Sequence, residues 1–134
     1  MQVTKSDLLQ IRNEADVVQA RQAVRRWATE QAFPIVDQTK IVTAASELAR
    51  NTLVYGRGGT VRLEALNDGA RKGLRLTFED QGPGIANLQQ ALQDGYSTGG
   101  GLGLGLSGAR RLSNEFHIES ELGKGTRVMI ARWR

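Results

Sequence analysis

The chain has 134 residues, of which 40% are hydrophobic, and this is a normal size for one folded domain. Eighteen Lys and Arg against fourteen Asp and Glu give a net charge of +4, which suits an acidic partner or a phosphorylated ligand but is too small to indicate nucleic-acid binding. Cysteine is absent and histidine occurs once, so disulfides and thiolate catalysis are excluded and a structural zinc site is not expected.

The N-terminal segment, residues 1–9, is polar and lacks the apolar stretch of a secretion signal. No run elsewhere approaches the ~18 apolar residues that a membrane span needs. We therefore expect a single domain over residues 1–134 that resides in the cytoplasm and does not contact a membrane.

Two helices are predicted in the first half of the chain. Asn13 can cap the first, which starts at Glu14 and continues to about Gln31 with apolar residues at helical spacing. The second starts near Asp37 and ends before Gly56, a residue typical of helix ends. Its apolar face consists of Ile41, Ala45, Leu48, Thr52 and Tyr55.

The second half of the chain contains patterns typical of strands. Residues 60–66 and 74–80 alternate apolar with polar side chains on either side of a segment rich in turn formers, which predicts a β-hairpin. Three further elements are predicted after it: a helix at residues 107–114 and strands at residues 116–122 and 126–133. This order favours an α+β two-layer sandwich, with helices on one face of a mixed, mostly antiparallel sheet.

Glu47 and Asn51 lie four residues apart on the second helix and therefore point to the same side. An amide oxygen can bind Mg²⁺ while a carboxylate deprotonates an attacking hydroxyl, and phosphoryl transfer needs both. An ordinary solvated helix face would show the same spacing.

Asp80 ends a predicted strand in which Leu74, Leu76 and Phe78 face the core. The same alternation turns the Asp80 carboxylate toward the interior, where a buried anion needs a partner. The exocyclic amine of adenine is a suitable donor, and the glycines that follow would let a flat base approach the backbone. A strand-ending turn is the alternative.

Residues 97–108 are rich in glycine and lead into a helix. Exposed backbone N–H groups next to a helix start can bind phosphates, although a flexible loop is the alternative. Gly103, Gly105 and Gly108 match the dinucleotide pattern GxGxxG, but no strand precedes them. A fourth cluster, residues 123–126, has the composition of a simple β-turn.

In this order and spacing, the four clusters resemble the N, G1, G2 and G3 boxes of the GHKL superfamily, which has the Bergerat ATP-binding fold. Within it, residues 46–51 (SELARN), 79–85 (EDQGPGI) and 95–103 (GYSTGGGLG) are similar to the switch-protein serine kinases of the RsbT type. The resemblance extends over nearly the whole chain and includes residues 123–126 (GKGT).

The resemblance implies a role for each matching position. Glu47 would be the catalytic carboxylate, Asn51 the Mg²⁺ ligand and Asp80 the residue that recognises adenine, with Gly82 and Gly84 beside the base. The other residues implied to contact ATP are Arg50, Ile85, Thr126 and, in and next to a lid over the phosphates, Ser97, Thr98, Gly99, Gly100, Gly101, Leu102, Gly103, Leu104 and Gly105. A surface salt bridge is an equal alternative for Arg50.

The resemblance implies an ATP-dependent protein serine/threonine kinase acting on STAS-domain antagonist or scaffold proteins in sigma-factor control, and possible activation of a PP2C-type phosphatase. One alternative is an anti-sigma factor kinase of the RsbW or SpoIIAB type, which binds a sigma factor directly. Others are the ATPase module of a larger protein and a non-catalytic switch gated by nucleotide. We expect no nucleic-acid partner.

Overall fold

The computed structural model describes residues 1–92 and 106–134, which form a five-stranded sheet with helices packed on it. The strand order is β1-β2-β3-β5-β4, and every pairing is antiparallel. The elements are β1 (Gln2–Ile11), α1 (Glu14–Glu30), α2 (Ile35–Val54), β2 (Gly59–Asn67), β3 (Lys72–Asp80), α3 (Leu88–Ala91), α4 (Leu106–Arg111), β4 (Glu115–Glu121) and β5 (Gly125–Trp133).

The predicted α+β two-layer class is confirmed, with three corrections. A strand, β1, precedes the first helix, where we predicted no element; most of its side chains are polar, and almost all are exposed. These properties follow from its place at the edge of the sheet. The described strands are also entirely antiparallel instead of mixed. The predicted helix at residues 107–114 is shorter, since α4 ends at Arg111.

The helices begin and bury side chains as their sequences predict. The side chain of Asn13 caps α1 by accepting a hydrogen bond from the backbone N–H of Asp16 at 2.9 Å. In α2, Ile41, Ala45 and Leu48 are almost completely buried, so the predicted apolar face is the one that contacts the sheet. Within the described parts of the chain, no helix combines the length and apolar character needed to cross a bilayer.

The sheet buries one face against the helices and leaves the other open. Alternate residues of the central strands face the helices, and the buried ones are Val61, Leu63, Ala65, Leu74, Leu76, Phe78, Val128 and Ile130. Asp80 continues this inward series at the end of β3, where it lies between Gly59 of β2 and Thr126 of β5. The fold therefore brings one carboxylate to the helix side of the sheet at the end of its central strand.

Arg132 connects three elements at the opposite end of α2. Its guanidinium donates to Asp37 Oδ1 at 2.6 Å and to the backbone oxygen of Leu112 at 2.8 Å. Asp37 lies in the first turn of α2, and Leu112 directly follows α4. The Arg132 side chain is only 12% exposed, so this ion pair is largely shielded from water.

We expect the substitution Arg132→Ala to lower the free energy of unfolding by about 3 kcal/mol, because it leaves the Asp37 carboxylate without its partner. Arg127→Ala, on the same strand, is the matched control. Its ion pair with Glu79 is about half exposed on the open face, and its loss should cost less than about 1 kcal/mol. Urea denaturation of both variants measures the difference. Equal losses would contradict a structural role specific to Arg132.

Candidate functional site

A cavity of about 100 Å³ lies between the C-terminal end of α2, the end of β3 with its following loop, and the start of β5. Apolar side chains form most of its wall, and polar groups enter it from α2, β3 and β5. Its lining residues are Leu48, Asn51, Thr52, Tyr55, Gly56, Phe78, Asp80, Pro83, Gly84, Ile85, Leu106, Thr126 and Val128. Four of the predicted nucleotide contacts, together with the predicted metal ligand, thus line one cavity.

The Asp80 carboxylate is held by backbone donors on one oxygen. Oδ1 accepts the N–H of Gly82 at 2.9 Å and the N–H of Thr126 at 3.2 Å. Burial raises the pKa of Asp80 above its usual value, although these two hydrogen bonds act in the opposite direction. Among the described residues no group donates to Oδ2, so this oxygen is the acceptor that Asp80 can offer to a ligand.

Gly56 and Gly84 leave room for the Asp80 carboxylate and for the loop after β3. A Cβ atom at Gly56 would lie 2.4 Å from Cγ of Asp80, so any larger residue there would displace the carboxylate. Gly84 has φ of +77°, and a Cβ there would lie 2.1 Å from the backbone oxygen of Glu121. The loop after β3 can therefore reach the β4–β5 hairpin only with glycine at this position.

Ser120, on β4, links that loop to the hairpin. Its Oγ accepts the N–H of Ile85 at 2.8 Å and lies 2.8 Å from Oγ1 of Thr126. It also donates to the backbone oxygen of Gly125 at 3.1 Å. One hydroxyl thereby fixes the loop that walls the cavity relative to the strand that carries Thr126.

The predicted residues of α2 occupy different surroundings. Asn51 lines the cavity, whereas Glu47, one turn earlier, is exposed and does not line it. The guanidinium of Arg50 pairs with Glu14 of α1 at 3.2 Å, and both side chains are more than half exposed. Arg50 therefore forms a surface salt bridge, which was the alternative to its predicted contact with ATP. The predicted lid contacts, residues 97–105, lie outside the described residues.

Several residues of the site were not among the predicted contacts, and two of them, Gly56 and Ser120, fix its geometry. Gly56 was noted only as a helix end, and Ser120 was not noted at all. In the structure the β4–β5 turn is centred on Gly123, and this places Ser120 opposite Thr126. The predicted strand limits centre the turn on Lys124 instead, so the predicted register did not bring these two residues together. Nothing in the sequence indicated that Gly56 contacts Asp80, since this close approach joins segments that are distant along the chain.

A larger concavity, of about 570 Å³, lies on the open face of the sheet. Four of its charged side chains form two ion pairs: Arg75 with Glu64 at 2.8 Å, and Arg127 with Glu79 at 3.3 Å. The ion pair with Arg75 holds the pKa of Glu64 below its usual value. Because these four groups satisfy each other and the predicted contacts line the smaller cavity, we place the functional site around Asp80.

Comparison with known proteins identifies the class. Residues 36–134 match the family described as "Histidine kinase-, DNA gyrase B-, and HSP90-like ATPase", and the chain belongs to this family. The serine/threonine-protein kinase RsbT of Bacillus subtilis (strain 168) is 46% identical over 125 residues, which are 93% of this chain and 94% of RsbT. The anti-sigma F factor of Clostridium kluyveri is 33% identical over 109 residues, 76% of this chain and 75% of that protein.

Solved structures support the same fold. The RsbU and RsbW domains of a Mycobacterium tuberculosis protein match 98% of this chain with a TM-score of 0.66 and 21% identity; the chain spans 33% of that structure. The mycobacterial sensor histidine kinase MprB matches 96% of this chain and 97% of its own, with a TM-score of 0.56 and 14% identity. The predicted GHKL membership and the resemblance to RsbT are confirmed.

We expect Asp80→Asn to weaken ATP binding by about tenfold or more, because the amide would turn its donor toward the cavity where an acceptor is needed. Oδ1 and its two backbone bonds would remain. The raised pKa means that protonated Asp80 favours the fold at low pH and that this stabilisation is lost as the pH rises through the folded-state pKa. At neutral pH the ligand-free variant should therefore melt no lower than the parent protein.

Calorimetric titration with ATP measures the affinity of Asp80→Asn, and thermal melting measures its stability. Glu79→Gln is the matched control, since this neighbouring carboxylate is exposed and pairs with Arg127. Unchanged ATP affinity in Asp80→Asn would contradict the assignment of Asp80.

Proposed function

We propose that this protein is an ATP-dependent protein serine/threonine kinase that acts in the cytoplasm on STAS-domain antagonist or scaffold proteins of a sigma-factor regulatory pathway. The observation that carries the proposal is the inward-facing Asp80 carboxylate, with one oxygen held by two backbone N–H groups and the other left for a ligand. The 46% identity to a serine/threonine-protein kinase over 93% of the chain supports the kind of reaction.

We assign the cavity around Asp80 to the adenine base. Its volume of about 100 Å³ is smaller than the ~300–1,000 Å³ of common small-molecule sites, so it takes one part of a nucleotide and not the whole. Its wall is mainly apolar, with Leu48, Phe78 and Val128 beside Asp80 and Thr126. A flat heterocycle with an amine at its edge fits this combination better than a phosphate does.

The phosphates would then extend along α2 toward Asn51 and Glu47. Asn51 can offer its amide oxygen to Mg²⁺, which supplies charge neutralisation of the phosphates when bound. The described residues contain no group of three or more His, Cys, Asp or Glu that could hold a metal. An ion at Asn51 would therefore take its other oxygen ligands from the nucleotide and water.

Glu47 is the candidate general base. It lies one turn from Asn51 on the same side of α2, and its exposure leaves it accessible to a side chain of a protein substrate. In the proposed step the Glu47 carboxylate accepts the proton of a Ser or Thr hydroxyl, and the hydroxyl oxygen bonds to the γ-phosphorus. The bond from that phosphorus to the bridging oxygen breaks, and ADP leaves with the electron pair.

A second candidate function is direct capture of a sigma factor. The 33% identity to an anti-sigma F factor favours it, although the identity to RsbT is higher and covers more of the chain. Activation of a PP2C-type phosphatase would accompany the first candidate function, phosphorylation of a STAS-domain protein. The two functions differ in which partner stays bound and which partner receives phosphate.

We expect Glu47→Ala to keep the ATP affinity of the parent protein and to slow phosphate transfer by ~10² or more, the usual scale for loss of a general base. Glu119→Ala, an exposed carboxylate on the open face of the sheet, is the control and should transfer phosphate normally. Quench-flow or filter assays with radiolabelled ATP measure transfer, and calorimetry measures affinity. Undiminished transfer by Glu47→Ala would reject the catalytic role.

We expect that incubation of this protein with radiolabelled ATP, Mg²⁺ and the STAS-domain proteins of neighbouring genes labels a Ser or Thr of one STAS-domain protein. The same mixture with sigma factors and a PP2C-type phosphatase, followed by capture of the kinase, identifies the retained partner. Retention of a sigma factor without labelling of a STAS protein would overturn the first candidate in favour of the second.

A further inference from the structure

The hydroxyl of Ser120 contacts three groups at the base end of the cavity. These are the N–H of Ile85 at 2.8 Å, the backbone oxygen of Gly125 at 3.1 Å and Oγ1 of Thr126 at 2.8 Å. Ser120 does not itself line the cavity, whereas Thr126 and Ile85 do. Any influence of Ser120 on a ligand must therefore pass through its neighbours.

The chemistry of these neighbours determines where the protons lie. A serine hydroxyl has one proton and two lone pairs. The N–H of Ile85 can only donate, so it takes one lone pair, and the Gly125 oxygen can only accept, so it takes the proton. The second lone pair then faces Thr126, whose own proton must point back at Ser120. The reverse direction, in which Ser120 donates to Thr126, leaves Gly125 without this donor and makes one hydrogen bond fewer.

The Thr126 oxygen is thereby left with lone pairs and no proton for the cavity. Asp80, whose Oδ1 accepts the N–H of the same Thr126, presents a second acceptor from β3. We propose that Ser120 is a positioning residue that fixes the direction of the Thr126 proton. Thr126 and Asp80 then both present acceptors to the cavity, and this favours a purine with an amine over one with a carbonyl oxygen at the same position.

The inference rests on the proposed function, because it assumes that a purine occupies this cavity. ATP and ITP are the suitable pair of probes, since hypoxanthine carries an oxygen where adenine carries its amine. The affinity ratio between them reports the discrimination directly. Loss of a merely structural contact would weaken both nucleotides alike and leave the ratio unchanged.

We expect Ser120→Ala to weaken ATP binding by about three- to tenfold, the scale of one net hydrogen bond, and to weaken ITP binding less. The released Thr126 hydroxyl can then rotate and donate to the carbonyl oxygen of hypoxanthine. Ser120→Thr keeps a hydroxyl at this position on β4 and should retain the parent ratio. In a Thr126→Val background, Ser120→Ala should change the ratio by less than about twofold, because coupled sites are not additive.

Calorimetric titration of ATP and ITP into each variant, with a thermal melt to confirm folding, provides the test. A folded Ser120→Ala protein that keeps the parent ratio of ATP to ITP affinity, because both affinities are unchanged or fall equally, would overturn the inference while leaving the proposed function intact. Failure of the parent protein to bind ATP would overturn both. If Ser120→Ala does not fold, Ser120→Cys takes its place, since the sulfur of a thiol is a weak acceptor for the Thr126 proton and should lower the ratio in the same direction.

Discussion

The candidate site depends on one partly buried carboxylate placed where three segments of the chain meet. The alternation that buries Leu76 and Phe78 also turns Asp80 inward, and N–H groups from the following loop and from β5 fix its orientation. Burial works against the charge of this acid, which is why its pKa is raised. A group held in this way is costly to leave without a donor and well suited to recognise one.

The core determines the geometry on the other side of the cavity. Burial of Ile41, Ala45 and Leu48 against the sheet fixes the rotation of α2 about its axis, and that rotation decides that Asn51 enters the cavity. The Arg132–Asp37 ion pair holds the first turn of the same helix. The position of the polar groups thus follows from apolar packing along twenty residues of α2.

Much of this could be predicted from the sequence, because periodicity and capping are local signals. The bounds of α1 and the inward direction of Asp80 followed from them. Strand β1 was missed because an edge strand buries too little to show alternation. The contact of Gly56 with Asp80 and the bond of Ser120 to Ile85 join residues 24 and 35 positions apart, and no local pattern encodes such distances. The surface salt bridge of Arg50 likewise depends on how α1 lies beside α2.

The two faces of the sheet have different roles: one forms the core and the cavity, and the other forms the open surface. Along β3, Leu74, Leu76, Phe78 and Asp80 serve the core and the cavity, while Arg75, Thr77 and Glu79 line the concavity on the other side. Because neighbouring positions point in opposite directions, an amino-acid exchange on the outer side leaves the inner side undisturbed. Evolution can therefore diversify the outer surface of such a domain from one homologue to the next while its nucleotide chemistry is inherited unchanged.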